Sequence, residues 1–190
     1  MEFIDKKIIH SSYSDGIFYS KNTRINPFLE KAVSGIIPGV AIDFGCGIGT
    51  NSKFLRNNGW DVYAIDREII AIENVLKILP RSRVYKEDII DIDYSRLPMC
   101  KLITCNYVMQ HMSIEEAKAT IFNMLKLLIR DGLIVFSIFS RNNCIDFDLI
   151  NSIMKSNSCI LKDKKEWIRK DVDHGPVHLH KGIEGLWIKR

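Results

Sequence analysis

The residues best suited to chemistry in this sequence form one short stretch. Gly45, Gly47 and Gly49 directly follow the apolar run Val40–Phe44, in which Asp43 is the one charged residue. Alternate glycines let the backbone turn tightly and let a ligand approach it closely. A carboxylate beside such a turn repels a pyrophosphate and attracts a cation. The stretch therefore predicts a buried strand followed by a ligand-binding turn and a helix.

Dinucleotide-binding enzymes use a related glycine turn with a different spacing. They need Gly-x-Gly-x-x-Gly, which places a pyrophosphate at the N-terminus of the following helix. Here the third glycine comes one residue early, and Thr50 stands at the sixth position. The spacing and Asp43 disfavour an NAD-type oxidoreductase, which stays the alternative interpretation. A strand–turn–helix corner without a ligand is the second alternative.

Two further acids follow predicted strands. Asp66 lies about 23 residues after Asp43, near the spacing at which an acid meets a ribose diol beside a glycine turn. A carboxylate only accepts hydrogen bonds, so it can take both hydroxyl protons of the diol. Asp88 follows a short third strand, in an acidic loop over residues 87–93. A solvated role is an alternative for Asp88, because its neighbours are acidic too.

Histidines supply the candidate acid–base groups. His111 lies in the stretch 106–112 after a fourth predicted strand, where a general base and a structural histidine are both compatible with the pattern and the structural role is favoured. Three more histidines, His174, His178 and His180, crowd the tail. On a strand, His178 and His180 share a face. A substrate-facing acid–base or anion-binding role, a plain polar strand and a metal site all stay open, but no familiar ligand spacing is present, so no metal is expected.

Read from Asp43, the pattern Asp-x-Gly-x-Gly-x-Gly resembles motif I of the class I S-adenosylmethionine (SAM) methyltransferases. In that family the turn cradles the methionine end of SAM, the second acid takes the ribose diol and the third acid binds adenine. The stretch 106–112 is similar to motif IV, and the missing proline after Asn106 disfavours methylation of a nucleobase amine.

The resemblance implies cofactor contacts at Tyr19, Asp43, Gly45, Cys46, Gly47, Asn51, Asp66, Arg67, Asp88, Ile89, Asn106 and Tyr107. It also implies substrate contacts at His111, His178 and His180, with His178 and His111 as the candidate catalytic residues.

A closer resemblance is to the small bacterial tellurite-resistance methyltransferases. Residues 45–52 and 58–66 are similar to the family's glycine turn and second strand, and Asp173, Gly175 and His178 match its Asp-x-Gly-x-x-His tail. An arginine follows that histidine in the family, where this chain has Leu179. The resemblance implies methyl transfer to a small metabolite or a metalloid oxyanion, and Leu179 argues against tellurite itself. A SAM-binding module without catalysis is the remaining alternative.

The frame that positions these residues is an alternation of strands and helices. Such alternation predicts a Rossmann-like, doubly wound α/β fold with a mostly parallel sheet and ligands at the carboxyl ends of the strands. Residues 159–165 and 177–188 predict a closing antiparallel hairpin. Asn51 and Ser52 are expected to cap the helix after the glycine turn. Strands are expected at 40–44, 60–65, 83–86, 102–106 and 133–139, and helices at 27–34, 52–58, 69–79, 114–129 and 147–154.

Chain length, composition, net charge and cysteine content limit the remaining expectations. The 190 residues, 46% of them apolar, predict a single domain over 1–190, with 1–27 as a polar, aromatic-bearing lid. The net charge of +4 without a dense Lys/Arg stripe predicts no nucleic-acid partner. Five scattered cysteines indicate reduced thiols in a cytoplasmic protein, and no apolar run approaches the length of a membrane span. We expect a small-molecule substrate and a monomer or homodimer.

Overall fold

The computed structural model describes residues 25–139, 144–171 and 178–190. These residues contain a seven-stranded sheet in the order β3-β2-β1-β4-β5-β7-β6. Its strands are β1 (Val40–Phe44), β2 (Asp61–Asp66), β3 (Val84–Lys86), β4 (Cys100–Asn106), β5 (Leu128–Phe139), β6 (Cys159–Asp171) and β7 (His178–Lys189). The helices are α1 (Pro27–Val33), α2 (Thr50–Asn57), α3 (Ile69–Val75), α4 (Ile114–Leu127) and α5 (Phe147–Ser156).

Strand directions confirm the predicted fold class. Strands β1 to β5 run parallel, whereas β7 is antiparallel to both β5 and β6. The chain builds outward from β1 to β3 and then returns across β1 to form β4, so β1 pairs with β2 on one side and β4 on the other. Such a reversal opens a crevice at the carboxyl ends of the two central strands. The glycine turn and the stretch 106–112 both lie at this crevice.

Apolar side chains cover both faces of the sheet. Residues of α1, α2 and α3, such as Leu29, Leu55 and Val75, pack on one face, and residues of α4 and α5, such as Ile121 and Met154, pack on the other. Burying one large apolar side chain contributes roughly 1.5–3 kcal/mol. The sheet is therefore a rigid support for the loops at its carboxyl edge.

Two helices begin at the residues that the sequence marks. The Asn26 side chain accepts a hydrogen bond from the Phe28 N–H, and Pro27 opens α1, as predicted. At the start of α4, Ser113 and Glu116 form a reciprocal capping box. Both helices are therefore fixed at the end nearest the site.

Asn51 and Ser52 do not cap α2, and that prediction was wrong. The helix begins at Thr50, and its N-cap residue is Gly49, which has a φ of 84° and makes no side-chain hydrogen bond. The left-handed glycine closes the turn earlier than the sequence suggests. Asn51 and Ser52 thus lie inside the first helical turn.

Other boundaries differ by a few residues. Helix α3 ends at Val75 instead of Leu79, since the N–H groups of Lys77 and Ile78 bond to carbonyls three residues back, which tightens the chain before Pro80. Strand β5 begins at Leu128, inside the predicted span of α4.

Several expectations concern residues that the structure does not describe. The predicted lid, apart from residues 25–27, and its Tyr19 lie outside the described residues, as does His174.

All five cysteines are free thiols. Within the described ranges, no helix is both long and apolar enough to cross a membrane.

Candidate active site

The turn after β1 is held by its neighbours on both sides. The N–H groups of Gly45 and Cys46 donate to the carbonyl of Ile65 at the end of β2, at 2.9 and 3.0 Å. Gly45 and Gly47 have φ angles of 68° and 53°, a region that favours glycine. A Cβ added to Gly45 would lie 2.2 Å from Cγ2 of Val108. The loop after β4 therefore packs directly on the turn, and the fold itself requires glycine at position 45.

Asp43 is an acid buried at the base of this turn. Its side chain is 2% exposed and accepts a hydrogen bond of 2.6 Å from the Ser52 hydroxyl at the start of α2. Burial raises the pKa of the Asp43 carboxyl to about 7; the Ser52 hydrogen bond opposes the rise and the charge of Asp66 adds to it. A positive charge bound nearby would stabilise the ionised form, as expected for an acid beside a cationic ligand.

Asp66, the last residue of β2, holds its carboxylate in place with two backbone hydrogen bonds. Its Oδ2 accepts from the Gly47 N–H and its Oδ1 from the Glu68 N–H, both at 2.9 Å. Burial raises the pKa of Asp66, and these two backbone hydrogen bonds counteract that rise. Each carboxylate oxygen can accept two hydrogen bonds and accepts one of these two, so with respect to the described residues one site per oxygen remains for a ribose hydroxyl. The residues present thus fit the ribose of a nucleoside cofactor.

The third acid is already paired. Asp88 lies two residues beyond the end of β3, where its Oδ2 accepts from Arg67 Nη1 at 3.1 Å and its Oδ1 from the Ile90 N–H at 3.1 Å. Ile89 is buried, and its carbonyl accepts from the Tyr94 hydroxyl at 2.8 Å. An adenine amino group at Asp88 would share this carboxylate with Arg67.

A buried polar network follows β4. Asn26 Nδ2 donates to Asn106 Oδ1 at 2.9 Å and to Ser137 Oγ at 2.7 Å, and Asn106 Nδ2 donates to Thr104 Oγ1 at 2.6 Å. The Asn26 N–H also reaches Asn51 Oδ1 at 3.5 Å. The side chains of Asn106 and Asn51 therefore fasten the start of α1 to β4, β5 and α2.

Tyr107 takes a strained backbone conformation at the end of β4. Its φ is 58°, and its N–H donates to the Ser137 carbonyl at 2.6 Å. Its hydroxyl donates to Glu184 Oε1 at 2.9 Å, and its ring stacks on Phe139 with centroids 4.7 Å apart. Burial raises the pKa of Tyr107 and the Glu184 charge raises it further, so the hydroxyl stays protonated and donates.

The candidate catalytic histidines lie on two different elements. His111 closes a short 3-10 helix, Met109–His111, and is half-buried, with its Nε2 3.4 Å from Gln110 Nε2. His180 is half-buried, with its ring 4.9 Å from that of Phe139. His178 is the first residue of β7.

Among the described residues, no three His, Cys, Asp or Glu side chains are grouped so as to hold a metal ion.

Sequence reasoning missed several residues of this edge. Ser137, Phe139, Trp167 and Glu184 join the polar network or the rings around Tyr107. Ser137 carried a signal, because it is the one polar residue in the apolar run 133–139. Glu184 carried a weaker one, as a charged residue within a strand of the predicted hairpin.

The sheet order, the glycine turn after β1 and the acid at the end of β2 are those of the class I SAM-dependent methyltransferase fold. The model of one family, described as tellurite resistance protein TehB, matches residues 13–156. The chain belongs to this family.

Solved structures show the same fold at low identity. TehB from Haemophilus influenzae is 18% identical with a TM-score of 0.73, over 93% of this chain and 67% of that one. The N-methyltransferase NodS from Bradyrhizobium japonicum, in complex with S-adenosylhomocysteine (SAH), is 16% identical with a TM-score of 0.72, over 97% of both chains. Magnesium protoporphyrin IX methyltransferase from Synechocystis, with bound SAM, is 17% identical with a TM-score of 0.65, over 100% and 99%.

Two curated proteins match shorter stretches. Hemagglutinin 1 of Eikenella corrodens is 32% identical over 83 residues, which are 42% of this chain and 28% of that protein. A 23S rRNA (uracil(747)-C(5))-methyltransferase of Pyrococcus furiosus is 38% identical over 68 residues, or 34% of this chain and 17% of that protein. The chain thus matches less than a third of the length of either protein.

Proposed function

We propose that this chain transfers the methyl group of SAM to a small-molecule acceptor. The observation that carries the proposal is the meeting of two groups of residues at one edge of the sheet. Asp43 and Asp66 lie at the carboxyl ends of β1 and β2 and the glycine turn follows β1, while Tyr107 and its partners lie at the end of β4 beside them. The direct packing of Val108 on Gly45 ties the two groups together.

The first group has the features that the cofactor requires. In the part of the chain that the structure describes, Asp66 keeps acceptor sites for the ribose hydroxyls, and the raised pKa of Asp43 suits an acid that a cationic ligand ionises. In this proposal Asp88 and Ile89 lie at the adenine. Cys46 and Gly47 of the turn, with Asn51, lie at the methionine end, and the contact of Tyr19 with the cofactor stays a prediction from the sequence.

The second group would position the acceptor. SAM, when bound, supplies an electrophilic methyl: an acceptor lone pair bonds to the methyl carbon while the C–S bond breaks and leaves its electron pair on sulfur, giving SAH. The chain contributes orientation and the exclusion of water. His111 and His178 are the proposed bases for an acceptor that must lose a proton.

Release of SAH tests the proposal. The protein is incubated with SAM and a panel of amines, thiols, carboxylates and metalloid oxyanions, and SAH is quantified by mass spectrometry. We expect at least one acceptor to give turnover that Asp66→Ala reduces strongly. SAH production at the no-acceptor background for every compound would contradict the proposed reaction.

A further inference from the structure

Four ring-bearing side chains form a connected cluster at the carboxyl edge, beside the proposed methyl-transfer site. This aromatic cluster comprises Tyr107 after β4, Phe139 at the end of β5, Trp167 on β6 and His180 on β7. The Phe139 ring lies 4.7 Å from that of Tyr107, 5.8 Å from Trp167 and 4.9 Å from His180. All four residues are half-buried, so the cluster is partly open to solvent.

A glycine makes room for this arrangement. Gly182 pairs with Phe139 on one side and with Trp167 on the other. A Cβ on Gly182 would lie 2.2 Å from Cζ2 of Trp167. The indole therefore folds over the backbone of β7 towards Phe139, and any larger residue at 182 would displace it.

A buried carboxylate lies in the next row of the sheet. Glu184 is 6% exposed and pairs with Ser137 on β5 and Lys165 on β6. Its hydrogen bond from the Tyr107 hydroxyl joins it to the aromatic cluster. Within the described parts of the chain, Glu184 makes no salt bridge, and the side chain of Lys165 is exposed. A buried carboxylate is costly unless donors or a cation accompany it.

Ring faces and the carboxylate select the same kind of ligand. Aromatic faces carry negative electrostatic potential and attract cations and N–H edges. A carboxylate accepts hydrogen bonds from the same groups and repels anions. Gln110, on the loop that carries Tyr107, adds a buried Oε1 that has no hydrogen-bond partner among the described residues. Each of these features favours a ligand that donates hydrogen bonds.

Resting on the proposed function, we infer that the acceptor is an aromatic or heterocyclic amine, bound by the aromatic cluster and Glu184, and that metalloid oxyanions are excluded. The amine body lies against the rings of the cluster, and its N–H groups or positive charge face the Glu184 carboxylate. Leu179, next to His180 on β7, is 69% exposed and offers no positive charge to an oxyanion.

Pairs of ligands that share a ring but carry opposite charges distinguish recognition of charge from contact with the rings. The SAH-saturated protein is titrated calorimetrically with tryptamine and indole-3-acetate, with histamine and imidazole-4-acetate, and with sodium tellurite. At least one amine should bind about tenfold or more tightly than its matched carboxylate, and tellurite should not compete with it. Glu184→Gln should remove most of that preference, whereas Trp167→Leu should weaken both members of the indole pair alike.

Control variants keep the outcome interpretable. Ile168→Ala changes the exposed neighbour of Trp167 on the opposite side of β6 and should leave all affinities unchanged. Tyr107→Phe removes the hydroxyl but keeps the ring and the carboxylate, so the preference for the amine should persist. The inference is overturned if carboxylates or tellurite bind as tightly as the amines, if no amine binds, or if Glu184→Gln keeps the full preference. Failure to bind SAH, measured first on the parent, would instead overturn the proposed function.

Discussion

At the scale of single residues, Asp43 links the ionisation of the site to the stability of the fold. Its folded-state pKa of about 7 lies above the value of about 3.9 for an unperturbed aspartate. Between these two values the folded protein binds more protons than the unfolded chain. This one group therefore favours folding at low pH, and its contribution is lost as pH rises towards 7, on the order of a few kcal/mol.

We expect Asp43→Asn to cancel that dependence. The melting temperature of the variant minus that of the parent, measured without cofactor, should increase as the pH is raised from about 4 to about 7. Taking this difference cancels the effect that the other acids have on the melting temperature, because both proteins contain them. A difference that is flat or decreasing over this range would show that the Asp43 pKa is not raised.

Gly45 and Asp43 show how far residue types alone could predict the site. The sequence correctly marked a turn that needs glycine, but it attributed this need to the cofactor, whereas Val108 from a loop far along the chain fills the space. The sequence showed that Asp43 adjoins the turn but not that its carboxyl group is buried. The burial and the hydrogen bond from Ser52 depend on how α2 packs. Contacts between distant segments have no local sequence signal.

At the scale of elements, α1 is held by more than its own cap. Asn26 caps the helix and also donates to Asn106 and Ser137, whereas Ser113 caps α4 through its capping box. Removing an N-cap costs about 1 kcal/mol. Leaving buried partners unsatisfied costs roughly 1–3 kcal/mol more.

We therefore expect Asn26→Ala to lower the free energy of unfolding by about 1–3 kcal/mol more than Ser113→Ala does. Urea denaturation of both variants measures the difference. Equal losses would mean that the network around Asn106 adds nothing to stability.

The β6–β7 hairpin depends on close packing over Gly182. We expect Gly182→Ala to destabilise the protein by about 1–3 kcal/mol, because its Cβ would overlap the Trp167 indole. Gly39→Ala is the matched control, since its Cβ would approach only the flexible Lys101 side chain, at 3.3 Å. Urea melts followed by tryptophan fluorescence report both stability and the displacement of the indole. A Gly182→Ala variant as stable as the control would contradict the observed packing.

Element boundaries were predictable where a cap or a breaker marks them. Asn26 and Pro27 fixed the start of α1, and the run Val40–Phe44 was predicted with the observed bounds. Helix α3 was overestimated because Leu76 and Leu79 continue its apolar spacing, whereas the N–H groups of the two residues after Leu76 bond to carbonyls only three residues back. The spacing of apolar residues in a sequence indicates which residues are buried. It does not distinguish an α-helix from a tighter turn, because both can bury the same residues.

At the scale of the whole molecule, the alternation of strands and helices sufficed for the fold class and for the edge at which a ligand binds. The closing antiparallel hairpin was also predicted. Glu184 was not, because its burial follows from pairing β7 between β5 and β6, which the chain order does not reveal. The predicted cofactor acids follow neighbouring strands, as local motifs imply, whereas the aromatic cluster is assembled from four distant segments.

The proposed methyl transfer depends on the glycine turn and Asp66 holding SAM. Calorimetric titration of the parent and of Asp66→Asn with SAH tests this most directly, with circular dichroism to verify that both are folded. Asparagine keeps the shape but loses the charge and one acceptor oxygen. We predict saturable binding at one site in the parent, and a loss of about 1–3 kcal/mol in the variant, the scale of hydrogen bonds to a charged group. No binding by the parent, or equal affinity in the two proteins, would contradict the account.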